Sequence, residues 1–88
     1  ESYTAPQTEA EAVLCVIWQE VLGLERVGVT DDFFRIGGNS ILAIHLTHKI
    51  GRALGYTVKI SDIFSYPRIR QFIENKEVNI VEYVEGEL

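Results

Sequence analysis

Apolar residues recur at helical spacing over two long segments of this chain, and this pattern constrains the fold more than any other feature. The first segment follows Thr8, which can form a capping box with Glu11, and it stops before Gly23, a common helix terminator. The second segment covers about 40–54. Because each segment has one apolar face, the two helices should bury these faces in a shared core. The apolar residues at this spacing are Val13, Leu14, Ile17, Trp18 and Val21 in the first segment, and the core positions of the second are Ala43, Leu46, Ile50 and Leu54.

Two shorter elements complete the predicted fold. A single helical turn carries Ile63 and Phe64, and a last helix follows with Pro67 in its first turn, where proline is well tolerated. We therefore expect an all-α fold, a small four-helix bundle of three main helices and one short helix. The first and last helices should both pack against the helix that begins at Ser40.

A long loop joins helices 1 and 2 over residues 23–39. Loops of more than roughly 12–15 residues are uncommon in compact domains and often carry function. Phe33 and Phe34 interrupt its polarity, so at least one of them should be buried as an anchor, and we assign this structural role to Phe34.

The chain is acidic, with 13 Asp and Glu against 8 Lys and Arg and a net charge of −5. This charge disfavours nucleic acid and anionic membranes as partners, and no apolar run approaches the ~20 residues of a membrane span. The single cysteine, Cys15, can form neither an internal disulfide nor a metal cluster. These features predict a monomeric domain of the cytoplasm.

The 88 residues suffice for one small domain. The chain contains no methionine and opens on a glutamate, so we expect it to be a segment of a longer polypeptide. The predicted parts are an N-terminal linker at 1–7, a folded domain at 8–76, and a C-terminal linker at 77–88 toward a following domain.

Ser40 stands between a double glycine and the second long helix. A hydroxyl at a helix N-terminus lies near unpaired backbone N–H groups and the positive end of the helix dipole, where a phosphate ester is favoured. Three interpretations of Ser40 compete: a plain N-cap, a hydrolase nucleophile, and a site that another enzyme modifies.

The hydrolase interpretation has the least support. A nucleophile elbow requires Gly-x-Ser-x-Gly, and Leu42 stands where its last glycine should be. The only histidines are His45 and His48, with no third group to orient either as a base. They also lack a third ligand for a metal, so we expect neither a catalytic residue nor a metal site.

The run around Ser40 contains Asp31, Asp32, Phe33, Phe34, Gly37, Gly38, Asn39, Ser40 and Ile41. This run resembles the attachment motif of peptidyl carrier (thiolation) domains of nonribosomal peptide synthetases. Flanking residues that resemble the same family are Ala5, Pro6, Thr8, Glu9, Glu11, Ile17, Trp18, Glu20, Val21, Leu22, Gly23, Ile63, Phe64 and Pro67. The resemblance covers roughly residues 5–75.

This resemblance implies a carrier domain that is not itself an enzyme. It implies that Ser40, flanked by Gly38 and Asn39, receives 4′-phosphopantetheine from coenzyme A through a Mg²⁺-dependent phosphopantetheinyl transferase. The arm would then hold an aminoacyl or peptidyl group as a thioester. The implied partners are that transferase and the adenylation, condensation, and epimerisation or thioesterase domains of the same synthetase.

The resemblance also places partner docking on the helix that begins at Ser40 and on the short turn after it. The residues it nominates are Ile41, Ile44, His45, Ile60, Ile63 and Phe64. Ile41 and Ile44 also lie off the predicted core stripe, which would leave them exposed beside the attachment point.

Two alternatives stay open within and beyond this class. One is an acyl carrier of a polyketide or fatty-acid system, although residues 41–54 contain no acid and this favours the peptidyl type. The other is an unmodified helical interaction module. Asn39 stands where the family often has His or Asp before the serine. An Asp there, followed by Ser-Ile, resembles carriers that precede epimerisation domains, and the Asn39–Ile41 run leans the same way.

Overall fold

The computed structural model describes residues 3–55 and 57–76, and these fold into four helices. The helices are α1 (Glu9–Leu22), α2 (Ser40–Leu54), α3 (Ile60–Ser65) and α4 (Ile69–Lys76). Within this part of the chain the only β pairing is an isolated bridge between Asp32 and Arg68. The all-α prediction is therefore confirmed. The predicted C-terminal linker lies outside the described residues.

Local capping signals set both ends of α1. The Thr8 hydroxyl accepts a hydrogen bond from the Glu11 amide at 3.1 Å, and Gly23 ends the helix in the left-handed conformation at φ 69°. The Glu11 carboxylate accepts from the amide of Gln7 at 2.8 Å. In a capping box the Glu11 carboxylate would accept from the amide of Thr8, and here it accepts from the amide one residue earlier.

The core forms between α1, α2 and the C-terminal helices. Its buried apolar side chains are Leu14, Cys15, Ile17, Trp18, Val27, Val29, Phe33, Ala43, Leu46, Ile50, Leu54, Val58, Ile63, Ile69 and Phe72. Trp18 lies at the centre and meets Phe33 and Phe72 edge-on, with ring centroids 6.0 and 6.2 Å apart. These contacts join α1 to both the long loop and α4, because Phe33 belongs to the loop and Phe72 to α4.

The last helix differs from its prediction in its start and in its packing. Pro67 precedes α4 instead of occupying its first turn, and its carbonyl accepts a hydrogen bond from the Phe33 amide at 3.0 Å. The Arg70 amide, which has no partner within α4, donates to the Val29 carbonyl at 3.0 Å. The main packing partner of α4 is α1, whereas we predicted α2.

The loop between α1 and α2 is fixed on two sides. Besides the bonds to Pro67 and Arg70, the Arg68 guanidinium donates to the Thr30 carbonyl at 2.9 Å. On its other side, the Val29 amide donates to the Thr4 carbonyl at 2.9 Å. Residues 3–7, for which we predicted a linker, therefore contact the folded domain.

None of the helices in the described ranges has the length and apolar character needed to cross a membrane.

Candidate attachment site

Asn39, and not Ser40, caps the N-terminus of α2. The Asn39 backbone is extended at φ −152°, and its side-chain oxygen accepts from the Leu42 amide at 2.9 Å. The plain-cap interpretation of Ser40 is therefore wrong. Ser40 is exposed as the first residue of α2, and its hydroxyl has no hydrogen-bond partner among residues 3–55 and 57–76.

The two glycines before Asn39 are each required for a different structural reason. Gly37 has φ 123°, a conformation that other residues rarely adopt. The Gly38 amide donates to the Phe33 carbonyl at 2.9 Å, and a Cβ on Gly38 would lie 2.4 Å from the Phe33 ring. The loop thus folds back over a buried aromatic ring and delivers Ser40 to the surface.

The start of α2 suits a negatively charged group. The first turn of α2 contains no acidic residue, and the amides there lie at the positive end of the helix dipole. Asn39 supplies a neutral cap where an aspartate would add a negative charge. A phosphodiester on the Ser40 hydroxyl therefore fits the local charge.

The structure offers no support for a nucleophilic serine. His45 and His48 are exposed on α2, and neither is hydrogen-bonded to Ser40 within the described ranges. No cluster of three metal-ligating side chains occurs in the part of the chain that the structure describes.

Exposed apolar side chains lie on α2 and on the elements that adjoin it. Ile41 and Ile44 are 67% and 44% exposed on α2, and Phe64 is 52% exposed on α3. The Phe64 ring stacks on Phe34 of the loop with centroids 4.8 Å apart and planes 5° from parallel. We call these four residues, Phe34, Ile41, Ile44 and Phe64, the apolar patch.

Two predicted roles need correction: that of Ile63 as a docking residue and that of Phe34 as the buried anchor of the loop. Ile63 is fully buried, so it cannot contact a partner domain. Its neighbour Phe64 faces solvent because consecutive residues of a helix point about 100° apart. Ile60 is half-buried against the core. In the loop, the fully buried aromatic is Phe33, whereas Phe34 is only half-buried.

The remaining assigned residues lie as follows. Trp18, Leu46 and Ile50 are fully buried. Phe33, which the sequence offered as an anchor only as the alternative to Phe34, determines the path of the loop before Ser40. No local pattern in the sequence distinguished Phe33 from Phe34, because both are apolar and lie next to each other in a loop without periodicity.

A small helical bundle that presents one unpaired serine hydroxyl at a helix start is the arrangement expected of a carrier domain. The family model described as "Phosphopantetheine attachment site" matches residues 12–75. The chain belongs to this family, as a carrier domain of the nonribosomal peptide synthetase type.

Curated relatives agree with this assignment. Tyrocidine synthase 2 of Brevibacillus parabrevis is 41% identical over 92 residues, which cover 100% of this chain and 2% of that protein. The bassianolide nonribosomal cyclodepsipeptide synthetase of Beauveria bassiana is 43% identical over 82 residues, which cover 93% of this chain and 3% of that protein. The chain thus spans only a few per cent of the length of these relatives.

Solved structures of similar proteins have the same fold. A docking-domain complex of the Pax nonribosomal peptide synthetase matches with a TM-score of 0.81 and 34% identity, over 93% of this chain and 80% of that one. A peptidyl carrier protein in complex with the phosphopantetheine transferase Sfp and coenzyme A also reaches a TM-score of 0.81, with 28% identity, over 88% of this chain and 100% of that one.

Proposed function

We propose that the Ser40 hydroxyl is the attachment point for 4′-phosphopantetheine. The domain would then hold aminoacyl or peptidyl groups as thioesters for the catalytic domains of a nonribosomal peptide synthetase. The observation that carries this proposal is the exposed, unpaired hydroxyl at the start of α2, with Asn39 rather than Ser40 as the helix cap. When bound, the group supplies a terminal thiol at the end of a long, flexible arm.

The chain's own contribution is to present one oxygen atom and a favourable charge environment. The buried Phe33 ring and the Gly38 amide fix the backbone before Ser40. The first-turn amides of α2 then stabilise the phosphodiester. Because neither histidine is hydrogen-bonded to Ser40 within the described ranges, the base that removes the hydroxyl proton belongs to the transferase, and the domain itself is not a catalyst.

The apolar patch is the proposed contact surface for partner domains. Its exposed isoleucines lie one and four residues after Ser40, so a partner that docks there has the attached group within its reach. His45, exposed at the edge of the patch, and the half-buried Ile60 would extend this surface. The contacts must be weak, because one carrier serves the transferase and then adenylation, condensation, and epimerisation or thioesterase domains in turn.

Further features support a peptidyl carrier of the cytoplasm. The whole of α2 lacks an acidic residue, which favours the peptidyl type over an acyl carrier of fatty-acid or polyketide synthesis. Cys15 is a free thiol, as expected for a reducing compartment.

Mass spectrometry of the chain tests the attachment directly. The chain is incubated with coenzyme A, Mg²⁺ and a broadly specific phosphopantetheinyl transferase, and its intact mass is measured. We expect the wild type to gain one phosphopantetheine and Ser40→Ala to gain none. Ser61→Ala is the matched control, since Ser61 is also exposed and helical. An unmodified wild type would contradict the proposal.

A further inference from the structure

The segment before α1 is attached to the long loop at its N-terminal end. The Thr4 carbonyl accepts from the Val29 amide at 2.9 Å, and the Thr4 hydroxyl accepts from that of Thr30 at 3.4 Å. One residue earlier, the Arg26 guanidinium lies 4.1 Å from the centroid of the Tyr3 ring. Both backbone and side chains thus hold residues 3 and 4 against the loop.

The backbone of Thr4 packs directly against Gly28, and we call this contact at Gly28 the seat. Gly28 is buried, and a Cβ on it would lie 3.0 Å from the Thr4 nitrogen and 3.1 Å from the Thr4 oxygen. Its own amide donates to the Asp31 carboxylate at 2.8 Å, which fixes the seat within the loop. The loop therefore approaches Thr4 so closely that only glycine fits without displacement.

The C-terminal end of the segment is held independently. The Gln7 amide donates to the Glu11 carboxylate at 2.8 Å. That carboxylate is itself bound by the Arg70 guanidinium of α4 at 2.9 Å. Pro6, between the two anchored ends, restricts the backbone further. Residues 3–7 are thus tied to the loop, to α1 and through Glu11 to α4.

We infer that residues 3–7 form a strap that moves with the helical body, so that any pivot of this domain relative to preceding chain lies outside them. The binding of the strap to the domain does not depend on the proposed carrier function; only its effect on the movement of the domain rests on that function. A carrier must travel between partners, and five extended residues would contribute about 17 Å of reach if they were free. Because the strap is bound to the domain, these five residues add no reach to a linker. They also bring the chain into contact with the loop that leads to Ser40.

The strap also connects preceding chain to the backbone that positions Ser40. Val29 is bonded to Thr4 through its amide and to Arg70 through its carbonyl. Four residues later, Phe33 accepts from the Gly38 amide just before Ser40. A force on the strap would therefore act on the loop, and not only on the first turn of α1.

Backbone ¹⁵N relaxation of the wild-type chain tests the strap directly. We expect the amides of Thr4, Ala5 and Gln7 to have order parameters of about 0.85, equal to those of α1. Values below about 0.6 at these residues would overturn the inference, since the segment would then be a flexible linker. This measurement requires no substitution and does not depend on the attachment chemistry.

Gly28→Val tests the seat, with Glu25→Val as the matched control at an exposed position of the same loop. The new side chain should displace Thr4, lower the order parameters of residues 4–7, and speed amide exchange at Val29 by about tenfold or more. The control should change neither. If amide exchange and order parameters were unchanged in a folded Gly28→Val chain, the proposed role of the seat would be wrong. If this variant does not fold, the relaxation measurement on the wild-type chain tests the strap by itself. Mass gain at Ser40 should persist in Gly28→Val, so a failure of the strap remains distinguishable from a failure of the attachment proposal.

Discussion

The Phe33 carbonyl accepts a hydrogen bond from the Gly38 amide at 2.9 Å, and the Phe33 ring fills the space that a side chain at Gly38 would need. This contact turns the loop back over the core two residues before Ser40. The position of Ser40 therefore depends on a buried aromatic ring that itself packs edge-on against Trp18.

Gly38→Ala should be destabilising by about 1–3 kcal/mol, the usual range for overpacking a well-filled site. The physical cause is a Cβ placed 2.4 Å from the Phe33 ring. Urea denaturation measures the loss. Gly23→Ala is the comparison, because Gly23 has φ 69° but nothing within 4 Å of its Cβ position, so it reports backbone strain alone. A loss below about 0.5 kcal/mol for Gly38→Ala would show that the ring contact is unimportant.

Asn39→Ala should cost about 1 kcal/mol of stability, because it removes the side-chain acceptor of the Leu42 amide. Asn39→Asp retains an acceptor and should retain most of the stability. Ser40→Ala should change the free energy of unfolding by less than about 0.5 kcal/mol, as expected for an exposed residue outside the cap. If Ser40→Ala proved as costly as Asn39→Ala in chemical denaturation, Ser40 would have to contribute to the cap.

Phe33→Ala should destabilise the domain by about 3–5 kcal/mol, the range for a buried aromatic residue. Phe34→Ala should cost clearly less, since Phe34 is half-buried and its stack with Phe64 adds only about 0.5–1.5 kcal/mol. Thermal and urea unfolding of both variants gives the ranking. Equal losses would mean that both aromatic rings anchor the loop.

The ion pair between Glu11 and Arg70 should make stability depend on acid pH. The hydrogen bond from Arg70 holds the pKa of the Glu11 carboxyl below its ordinary value of 4.5. A carboxyl with a lowered folded pKa stabilises the fold fully above its ordinary value, and this stabilisation is lost as the pH falls through the folded pKa.

Glu11→Gln should therefore be less stable than the wild type at neutral pH, with a stability gap that narrows as the pH falls below the ordinary value of 4.5. Urea titrations across this range measure the gap. Glu9→Gln, at an exposed position in the same first turn, is the matched control for the loss of one carboxylate from α1. A gap independent of pH would exclude Glu11 as the titrating group.

Cys15 should be inert in the folded chain. Burial raises the pKa of its thiol to about 11, and its Sγ donates to the Val27 carbonyl at 3.3 Å. Because the thiolate is the reactive form, a disulfide reagent near pH 8 should label the unfolded chain but not the folded unmodified one. Rapid labelling of the folded chain would show that the core opens readily at α1. If Cys15 is inert, the thiol of an attached phosphopantetheine arm should be the only reactive thiol of the chain until an acyl group is loaded.

The sequence by itself determined the elements whose signals are local. Both ends of α1 follow from Thr8 and Gly23, and the C-terminal end of α2 follows from Gly55, because caps and terminators act within one helical turn. The core face of α2 follows from the spacing of Leu46 and Ile50, since helical periodicity fixes which side chains share a face.

Only the tertiary structure decided which neighbour of an adjacent apolar pair is buried. Phe33 and Phe34, like Ile63 and Phe64, are equally apolar, and no periodicity is available in a loop or a single turn. Which residue of each pair is buried depends on contacts with residues distant in the sequence. One example is the Pro67 carbonyl, which accepts a hydrogen bond from the Phe33 amide. The same holds for the strap at Thr4 and for the exposure of the Ser40 hydroxyl, because backbone hydrogen bonds between remote segments leave no local pattern in the sequence.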